Sequence, residues 1–227
     1  MSDLGVLLQR LRYPLPPAAH VRYRVWCDHE LAAAARDANG EELVGVRRIG
    51  PPVDARSEIL VSIWRCAPDR VRVEHEGGVQ DGAIGIRVGE RWWSRSPRHG
   101  ERSSDEYPPG ASWLGQGAET FLDPPSVLDG MRFEPTGYGT RAGRPVLIAD
   151  AWRSREAGRQ PLLSGLGAHA DRCRVEVDAE RGHVLSHQCF FRGAPYETID
   201  VIDLQLDGPL DMNLFAFPGT AEADRLP

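Results

Sequence analysis

The sequence of 227 residues contains no lysine, because every one of its 27 Lys or Arg positions is arginine. A lysine Schiff base, a pyridoxal-phosphate site, a lysine general base and the lysine of a phosphate-binding P-loop are therefore excluded, since each requires an amine that arginine cannot replace. Asparagine, whose codons are A-rich like those of lysine, occurs only at Asn39 and Asn213. This pattern is typical of a GC-rich, actinobacterium-like genome.

Long apolar runs are also missing, and none approaches the roughly 18 to 20 residues of a membrane span. The first residues, Met-Ser-Asp-Leu-Gly, show neither the basic nor the apolar region of a signal peptide, so we expect a cytoplasmic protein. Cysteine is sparse and forms no C-x-x-C pair, which predicts reduced and buried thiols in that compartment. The four cysteines are Cys27, Cys66, Cys173 and Cys189.

The negative charge is concentrated at the carboxy-terminal end. Residues 195–227 contain seven acidic residues against Arg225 alone, so this segment accounts for the whole net charge of −6. Residues 91–102 interleave four arginines with Trp92 and Trp93, a composition that can hold phosphates or stack on bases. Adjacent residues of a strand point to opposite faces, however, and the chain is acidic as a whole. We therefore predict no nucleic-acid partner.

Hydrophobic periodicity predicts a chain made mainly of short strands. Asp3, followed by Leu4, Leu7, Leu8 and Leu11, predicts an N-capped helix that ends before Pro14. Apolar residues then recur with a period of two, which indicates half-buried strands. The predicted strands cover residues 21–27, 59–66, 70–75, 83–88, 91–94, 146–152, 172–178, 184–191 and 198–206, with a turn at 37–40, a long loop over 95–118 and short helical turns over 118–128.

These elements predict one mainly β domain over residues 1–227. It would comprise a helix and lead-in (1–20), a first strand meander (21–94), a loop and helical crossover (95–130), a second meander (131–218) and a tail (219–227). Hairpin turns between consecutive strands favour an antiparallel sheet. Nine or so strands must curl or pair to bury one face, so we expect a strongly curved or nearly closed sheet.

Common catalytic and metal motifs are not found: the sequence has no G-x-S-x-G, H-E-x-x-H, C-x-x-C or G-x-G-x-x-G pattern, and we expect no cofactor. The best metal candidate is His183, His187 and Cys189, with His169 and Cys173 just upstream. Alternate side chains on a strand stand about 6 to 7 Å apart, so one strand supplies two ligands at most. The alternative is a turn histidine followed by core residues.

Four polar residues interrupt apolar strands and are candidates for acid/base chemistry: Asp150, His187, Glu197 and Asp200. A carboxylate or imidazole directed into an apolar cavity would have a shifted pKa and could transfer protons. Half of each strand faces solvent, so solvated side chains are the alternative.

Aromatic residues on or near the predicted strands are candidates for an apolar ligand site, with arginines at its rim to orient an anionic group. Core packing explains the aromatic residues equally well. The candidate ligand-binding residues are Trp64, Trp93, Trp113, Tyr138, Trp152, Phe190, Arg91 and Arg153.

Five segments occur in the order found in a known family. They are Ala67–Glu74 (APDRVRVE), Gly89–Pro97 (GERWWSRSP), Ala142–Leu147 (AGRPVL), Arg174–Gly182 (RVEVDAERG) and Asn213–Pro218 (NLFAFP). They resemble the segments of bacterial LolA-like lipoprotein carriers and of the amino-terminal domain of RseB-type sigma-factor regulators, and the resemblance covers about residues 55–218. It implies an unclosed antiparallel half-barrel whose concave, apolar face is covered by helices and receives acyl chains or a hydrophobic segment of a partner.

The sequence thus leads to a non-catalytic protein that binds a lipid, an acyl group, a hydrophobic metabolite or a peptide segment. One alternative is a cofactor-independent biosynthetic enzyme that acts in the same cavity through His187, Asp150 or Glu197. Another is a regulatory module that binds a protein through residues 207–227 or a sheet edge. Family carriers are exported, whereas this chain begins without a recognisable signal peptide.

Overall fold

The computed structural model describes residues 5–7, 17–38, 54–105, 131–153 and 169–218. It contains a helix α1 (His29–Ala38), two 3-10 turns (Gly78–Gln80 and Met212–Phe215) and eleven strands. The strands are β1 (Ala18–Asp28), β2 (Arg56–Cys66), β3 (Arg70–Glu76), β4 (Ile84–Val88), β5 (Arg91–Ser96), β6 (Gly100–Ser104), β7 (Met131–Arg141), β8 (Arg144–Arg153), β9 (Arg172–Asp178), β10 (Val184–Phe191) and β11 (Ala194–Leu206).

All eleven strands belong to one sheet in the order β6-β5-β4-β3-β2-β1-β11-β10-β9-β8-β7. Neighbouring strands run antiparallel, and β6 and β7 are the two edge strands among the described residues. The sequence-based prediction of a mainly β, antiparallel and unclosed sheet is confirmed. No helix in the described part of the chain is long and apolar enough to cross a membrane.

Tight turns fix the register of several hairpins. Ala142 and Gly143, between β7 and β8, have φ of 48° and 73°, and Arg192 and Gly193, between β10 and β11, have φ of 51° and 79°. Positive φ at both central residues is the backbone of the two-residue turns whose twist matches that of antiparallel strands. Glycine at the second position removes the Cβ clash that this conformation imposes on other residues.

The chain divides into two compact units. The first unit comprises Met1–Leu15, Tyr23–Ile59 and Gln116–Ile202, and the second comprises Pro16–Arg22, Leu60–Gly115 and Asp203–Pro227. The expectation of a single domain over 1–227 stays a prediction.

The core of the first unit lies on one face of β7–β11, which we call the helix-covered face because Ala35 of α1 and Leu7 are buried against it. Residues 5–7 are helical, as expected from the sequence, and Leu7 is 0% exposed. The buried members of this face on the strands are Phe133, Leu147, Ala149, Ala151, Cys173, Val175, Val177, Val184, Cys189, Phe191 and Tyr196.

The sequence analysis missed two strands and one helix. Residues 100–104 were expected in a loop, but they form β6, an exposed edge strand whose polar sequence shows no alternation. β7 contains Pro135 and a bulge before Gly137, which an edge strand tolerates because one side of its backbone needs no partner.

Helix α1 takes the place of part of the predicted 37–40 turn, because Asp37 is helical. The Asp28 carboxylate accepts a hydrogen bond from the Leu31 amide at 3.0 Å and caps the helix. The alanine-rich segment that follows has high helix propensity. Asn39 and Gly40, like the helical turns expected over 118–128, lie outside the described residues.

Candidate functional site: a thiol, imidazole and carboxylate cluster

Three neighbouring strands of the first unit bring polar side chains together on the helix-covered face. Cys173 of β9 lies directly opposite Cys189 of β10, and Cys189 lies directly opposite Glu197 of β11. His187 precedes Cys189 by two residues and therefore shares its face. Both His187 and Cys189 are buried, at 2% and 0% exposure.

A β-bulge directs two consecutive residues of β11 toward this cluster. Glu197 lies opposite Cys189 and Pro195 lies opposite Phe190, so Tyr196 is the extra residue between them. Such an extra residue allows two adjacent side chains to point to nearly the same face. Tyr196 is 6% exposed, and its side chain lowers the pKa of the Cys189 thiol against the larger opposing effects of Cys173 and burial.

The polar atoms of the cluster are close to one another. The Sγ atoms of Cys173 and Cys189 are 3.3 Å apart, and His187 Nε2 is 3.3 Å from Glu197 Oε1. One ligand atom from each of His187, Cys189 and Glu197 lies within 4.8 Å of the other two. These donor types are those of a borderline-soft metal ion or of a network of buried hydrogen bonds.

A fourth strand, β1, adds Cys27 to the surroundings of Glu197. Burial, followed by the charge of Glu197, raises the pKa of the Cys27 thiol to about 12. The Cys27 sulfur is 3.6 Å from His29 Nδ1, and His29 Nε2 is 2.8 Å from the Ser57 hydroxyl. The first residue of α1 is thereby connected to the edge of the cluster.

Cys27 and Cys189 are protonated at neutral pH when no metal is bound. The hydrogen bond with Cys173, followed by burial, raises the pKa of Cys189 well above its usual value. Burial also raises the pKa of Tyr196, and the nearby thiols and Glu197 raise it further. Because the thiolate is the reactive form, neither Cys27 nor Cys189 is an activated nucleophile.

The candidate acid/base residues fall on two different faces of the sheet. His187 and Glu197 are paired on the helix-covered face. Asp150 lies on the opposite face, where its carboxylate is 2.9 Å from Arg172. Asp200 lies on that face too, accepts a hydrogen bond from Ser186 at 2.7 Å and is 3.4 Å from Arg141. Catalysis through His187, Asp150 or Glu197 stays a prediction.

The candidate metal residues are partly brought together. His187 and Cys189 of the predicted set lie in the cluster, with Glu197 and Cys173 as their neighbours. His183 is buried at the end of the β9–β10 turn, where its carbonyl accepts a hydrogen bond from the Asp178 amide. Sequence spacing had indicated His187 and Cys189, but nothing in it indicated the contribution of Cys27 or Tyr196.

In the second unit, three candidate ligand-binding residues have separate environments. Trp64 is half-buried and stacks on His20 with ring centroids 4.8 Å apart. Trp93 shares the face of Trp64, through a row of directly opposite residues, and is 8% exposed. Arg91 is paired with Asp105, and its guanidinium lies 5.2 Å from the centroid of the Phe217 ring.

Three other candidates lie in the first unit, where Tyr138 is directly opposite Leu147 of the helix-covered face. Trp152 and Phe190 lie on the opposite face of the first unit, where Arg172 packs over the Phe190 ring at 4.5 Å. Tyr138, on the edge strand β7, is 65% exposed. Trp113 and the side chain of Arg153 lie outside the described residues. The role of all eight residues in ligand binding stays a prediction.

No family model and no curated protein matches the sequence. Among solved structures, MucB has a TM-score of 0.55 and 14% identity over 96% of this chain and 64% of MucB. An uncharacterized conserved protein from Thermus thermophilus has a TM-score of 0.51 and 11% identity over 96% of both chains. In the Pseudomonas aeruginosa MucA/MucB complex, the corresponding values are 0.50 and 14%, over 95% of this chain and 59% of that chain. At these identities the likeness shows a shared fold alone.

Proposed function

We propose that this chain, which has a LolA/RseB-like fold, is a binding protein that takes up a hydrophobic ligand on the helix-covered face of its first unit. The ligand is an acyl chain or an apolar peptide segment. The fold is one support for the proposal. The observation that carries it is the weak attachment of α1 to the apolar face that it covers.

Helix α1 contributes little apolar surface to the core. Ala35 is its buried residue, and Leu31 and Ala32 are partly buried against the same cluster. A buried methyl or methylene group contributes about 0.8 kcal/mol, and a fully buried leucine about 1.5–3 kcal/mol. A helix of 10 residues is also marginal by itself. Detachment of α1 from the sheet therefore costs only a few kcal/mol.

The amino-terminal end of α1 is held more firmly than the rest. Asp28 caps the helix, and the His29 amide donates a hydrogen bond to the Ala55 carbonyl at 2.9 Å. His29 also contacts Ser57 through its ring. At the other end of the helix, Arg36, Asp37 and Ala38 are exposed. We infer that α1 moves away from the sheet about its first turn when a ligand binds.

The face beneath α1 offers valine, leucine, alanine and phenylalanine side chains to a ligand. An acyl chain that buries about 200 Å² of its apolar surface away from water would gain about 5 kcal/mol of binding free energy. This gain exceeds the cost of moving α1. The same surface suits an apolar peptide segment. MucB has been solved in complex with MucA, which favours including a protein segment among the ligands tested.

The test is titration of the delipidated full-length chain with palmitate and, separately, with a soluble leucine-rich peptide. Isothermal titration calorimetry measures affinity, and burial of apolar surface predicts a negative heat-capacity change. Leu31→Ala weakens the packing of α1 on the sheet and so raises the population of the form in which α1 has moved away. It should therefore tighten ligand binding up to about tenfold.

Ala34→Ser, at an exposed position of the same helix, is the matched control and leaves the affinity unchanged. Palmitate binding without peptide binding would assign the ligand as a lipid, and the reverse result would assign it as a protein segment. Absence of binding by both probes, or equal affinities of the wild type and Leu31→Ala, would contradict the proposal.

A further inference from the structure

The cluster formed by Cys173, His187, Cys189 and Glu197 has the donor types of a zinc site. We propose that it binds one Zn²⁺ through His187, Cys189 and Glu197, with the Cys173 sulfur beside that of Cys189. This metal site does not depend on the hydrophobic ligand proposed above, and it lies entirely within the first unit.

Alternate side chains of a single strand are too far apart to supply more than two metal ligands, but neighbouring strands of the sheet can supply the others. β10 supplies only His187 and Cys189, while Cys173 comes from β9 and Glu197 from β11. Directly opposite residues of antiparallel strands are closer than alternate residues of one strand, at about 4.5 to 5.5 Å. Three ligands from two strands can therefore converge although no sequence motif places them side by side.

The distances approach those of a tetrahedral site. Bonds of about 2.0 to 2.3 Å to a tetrahedral ion place ligand atoms about 3.3 to 3.8 Å apart. His187 Nε2 and Glu197 Oε1 are 3.3 Å apart, as are the Cys173 and Cys189 sulfurs. The ligand atoms of His187, Cys189 and Glu197 all lie within 4.8 Å of one another. Closing the longest of these separations requires a side-chain movement of about 1 Å.

The described protein groups do not satisfy all the polar atoms buried at this place. The His187 side chain is 3% exposed, and its Nδ1 has no hydrogen-bond partner among the described residues. Nε2 has only the 3.3 Å contact with Glu197, which is long for a strong charge-assisted hydrogen bond. A metal ion between Nε2 and the carboxylate would replace this long contact with two short bonds and would leave Nδ1 unchanged.

The neighbouring Tyr196 supports a metal-bound sulfur. Its buried side chain adjoins the Cys189–Glu197 pair at the bulge, and a hydrogen-bond donor near a thiolate stabilises the charged ligand. A sulfur and an imidazole favour Zn²⁺ over Mg²⁺ and Ca²⁺, which prefer oxygen ligands. On binding, Cys189 releases its thiol proton to solvent and no electron is transferred. Three protein ligands leave a fourth position of the tetrahedron for a further donor.

The test is cobalt titration of the full-length chain after reduction and treatment with a chelator. One equivalent of Co²⁺ should bind and produce thiolate-to-cobalt charge-transfer absorption together with the visible bands of tetrahedral cobalt. Zn²⁺ should displace it, whereas Mg²⁺ should not. The cobalt spectrum of the wild type reports sulfur ligation even if a ligand variant fails to fold.

His187→Gln and Cys189→Ser should weaken Co²⁺ binding by more than about 100-fold, because loss of a direct ligand exceeds the 10- to 100-fold effect of outer-shell changes. Cys66→Ser is the matched control, since Cys66 lies in the second unit, and it should bind like the wild type. Absence of stoichiometric binding by the reduced wild type would overturn the proposal. A spectrum without charge-transfer absorption, or binding that both ligand variants retain, would do the same.

Discussion

Replacing Asp178 with asparagine tests how one buried carboxylate holds the β9–β10 connection. Asp178 is 0% exposed and pairs with Arg144 of β8. Its Oδ1 also accepts hydrogen bonds from the amides of Glu180 at 2.8 Å and Arg181 at 3.0 Å. Asparagine preserves an acceptor for these two amides, but it removes the charge and turns an NH₂ group toward the guanidinium.

The expected loss of unfolding free energy is about 2–4 kcal/mol at pH 7. Breaking a fully buried ion pair costs about 3–5 kcal/mol. The Arg144 side chain is 27% exposed, so water compensates part of the loss on its side. Urea unfolding measures the difference. Asp105→Asn is the matched control because Asp105 forms an exposed pair with Arg91, and it should change stability by less than about 0.5 kcal/mol.

The difference between Asp178→Asn and the wild type should depend on pH in one direction. Burial raises the pKa of Asp178, but Arg144 and the two amides outweigh burial, so that its folded-state pKa is lowered. A lowered pKa stabilises the fold above the unfolded value of about 3.9, and the contribution disappears as pH falls through the folded value. The difference should therefore be constant from pH 7 to about 5 and shrink below about 4. A difference near zero at pH 7, or one that persists in acid, would refute this reasoning.

Two further predictions concern burial. In the reduced, metal-free native protein at pH 8, one thiol should react rapidly with iodoacetamide, because Cys66 is half-buried while the other three cysteines are at most 5% exposed. Cys66→Ser should abolish this rapid phase. Rapid reaction of two or more thiols would contradict the prediction. Leu7→Ala should lower the unfolding free energy by about 2–5 kcal/mol, measured in urea, because Leu7 is 0% exposed. Val79→Ala, at a position that is 75% exposed, should change little, and equal effects of the two substitutions would show that Leu7 is not a core residue.

Much of the fold could be predicted because its signals are local. In β1, Val21, Tyr23, Val25 and Cys27 are buried while Arg24 is exposed, as the alternation required. The turns at Gly89 and Gly193 have the positive φ that glycine supplies. β6 and β7 were missed for the opposite reason, because edge strands need neither alternation nor a full set of backbone donors.

The candidate site was predicted only in part. His187, Cys189 and Glu197 were all identified from the sequence, but as members of different sets. Asp150 was grouped with His187 because both interrupt apolar strands, yet the register places them on opposite faces. A shift of one residue in register exchanges the two faces of a strand, so this grouping required the actual pairing.

By itself, the sequence determined which side-chain chemistry the protein lacks and to which class its fold belongs. The absence of lysine restricts permanent side-chain cations to arginine, and period-two alternation with glycine turns specifies antiparallel strands. The tertiary structure alone decided that Cys173, Cys189 and Glu197 form one row, that Cys27 and Tyr196 adjoin it, and that α1 covers this face. The physical reason is that alternation assigns a side chain to one of two faces, whereas its neighbours depend on strand order, register and bulges between segments far apart in the chain.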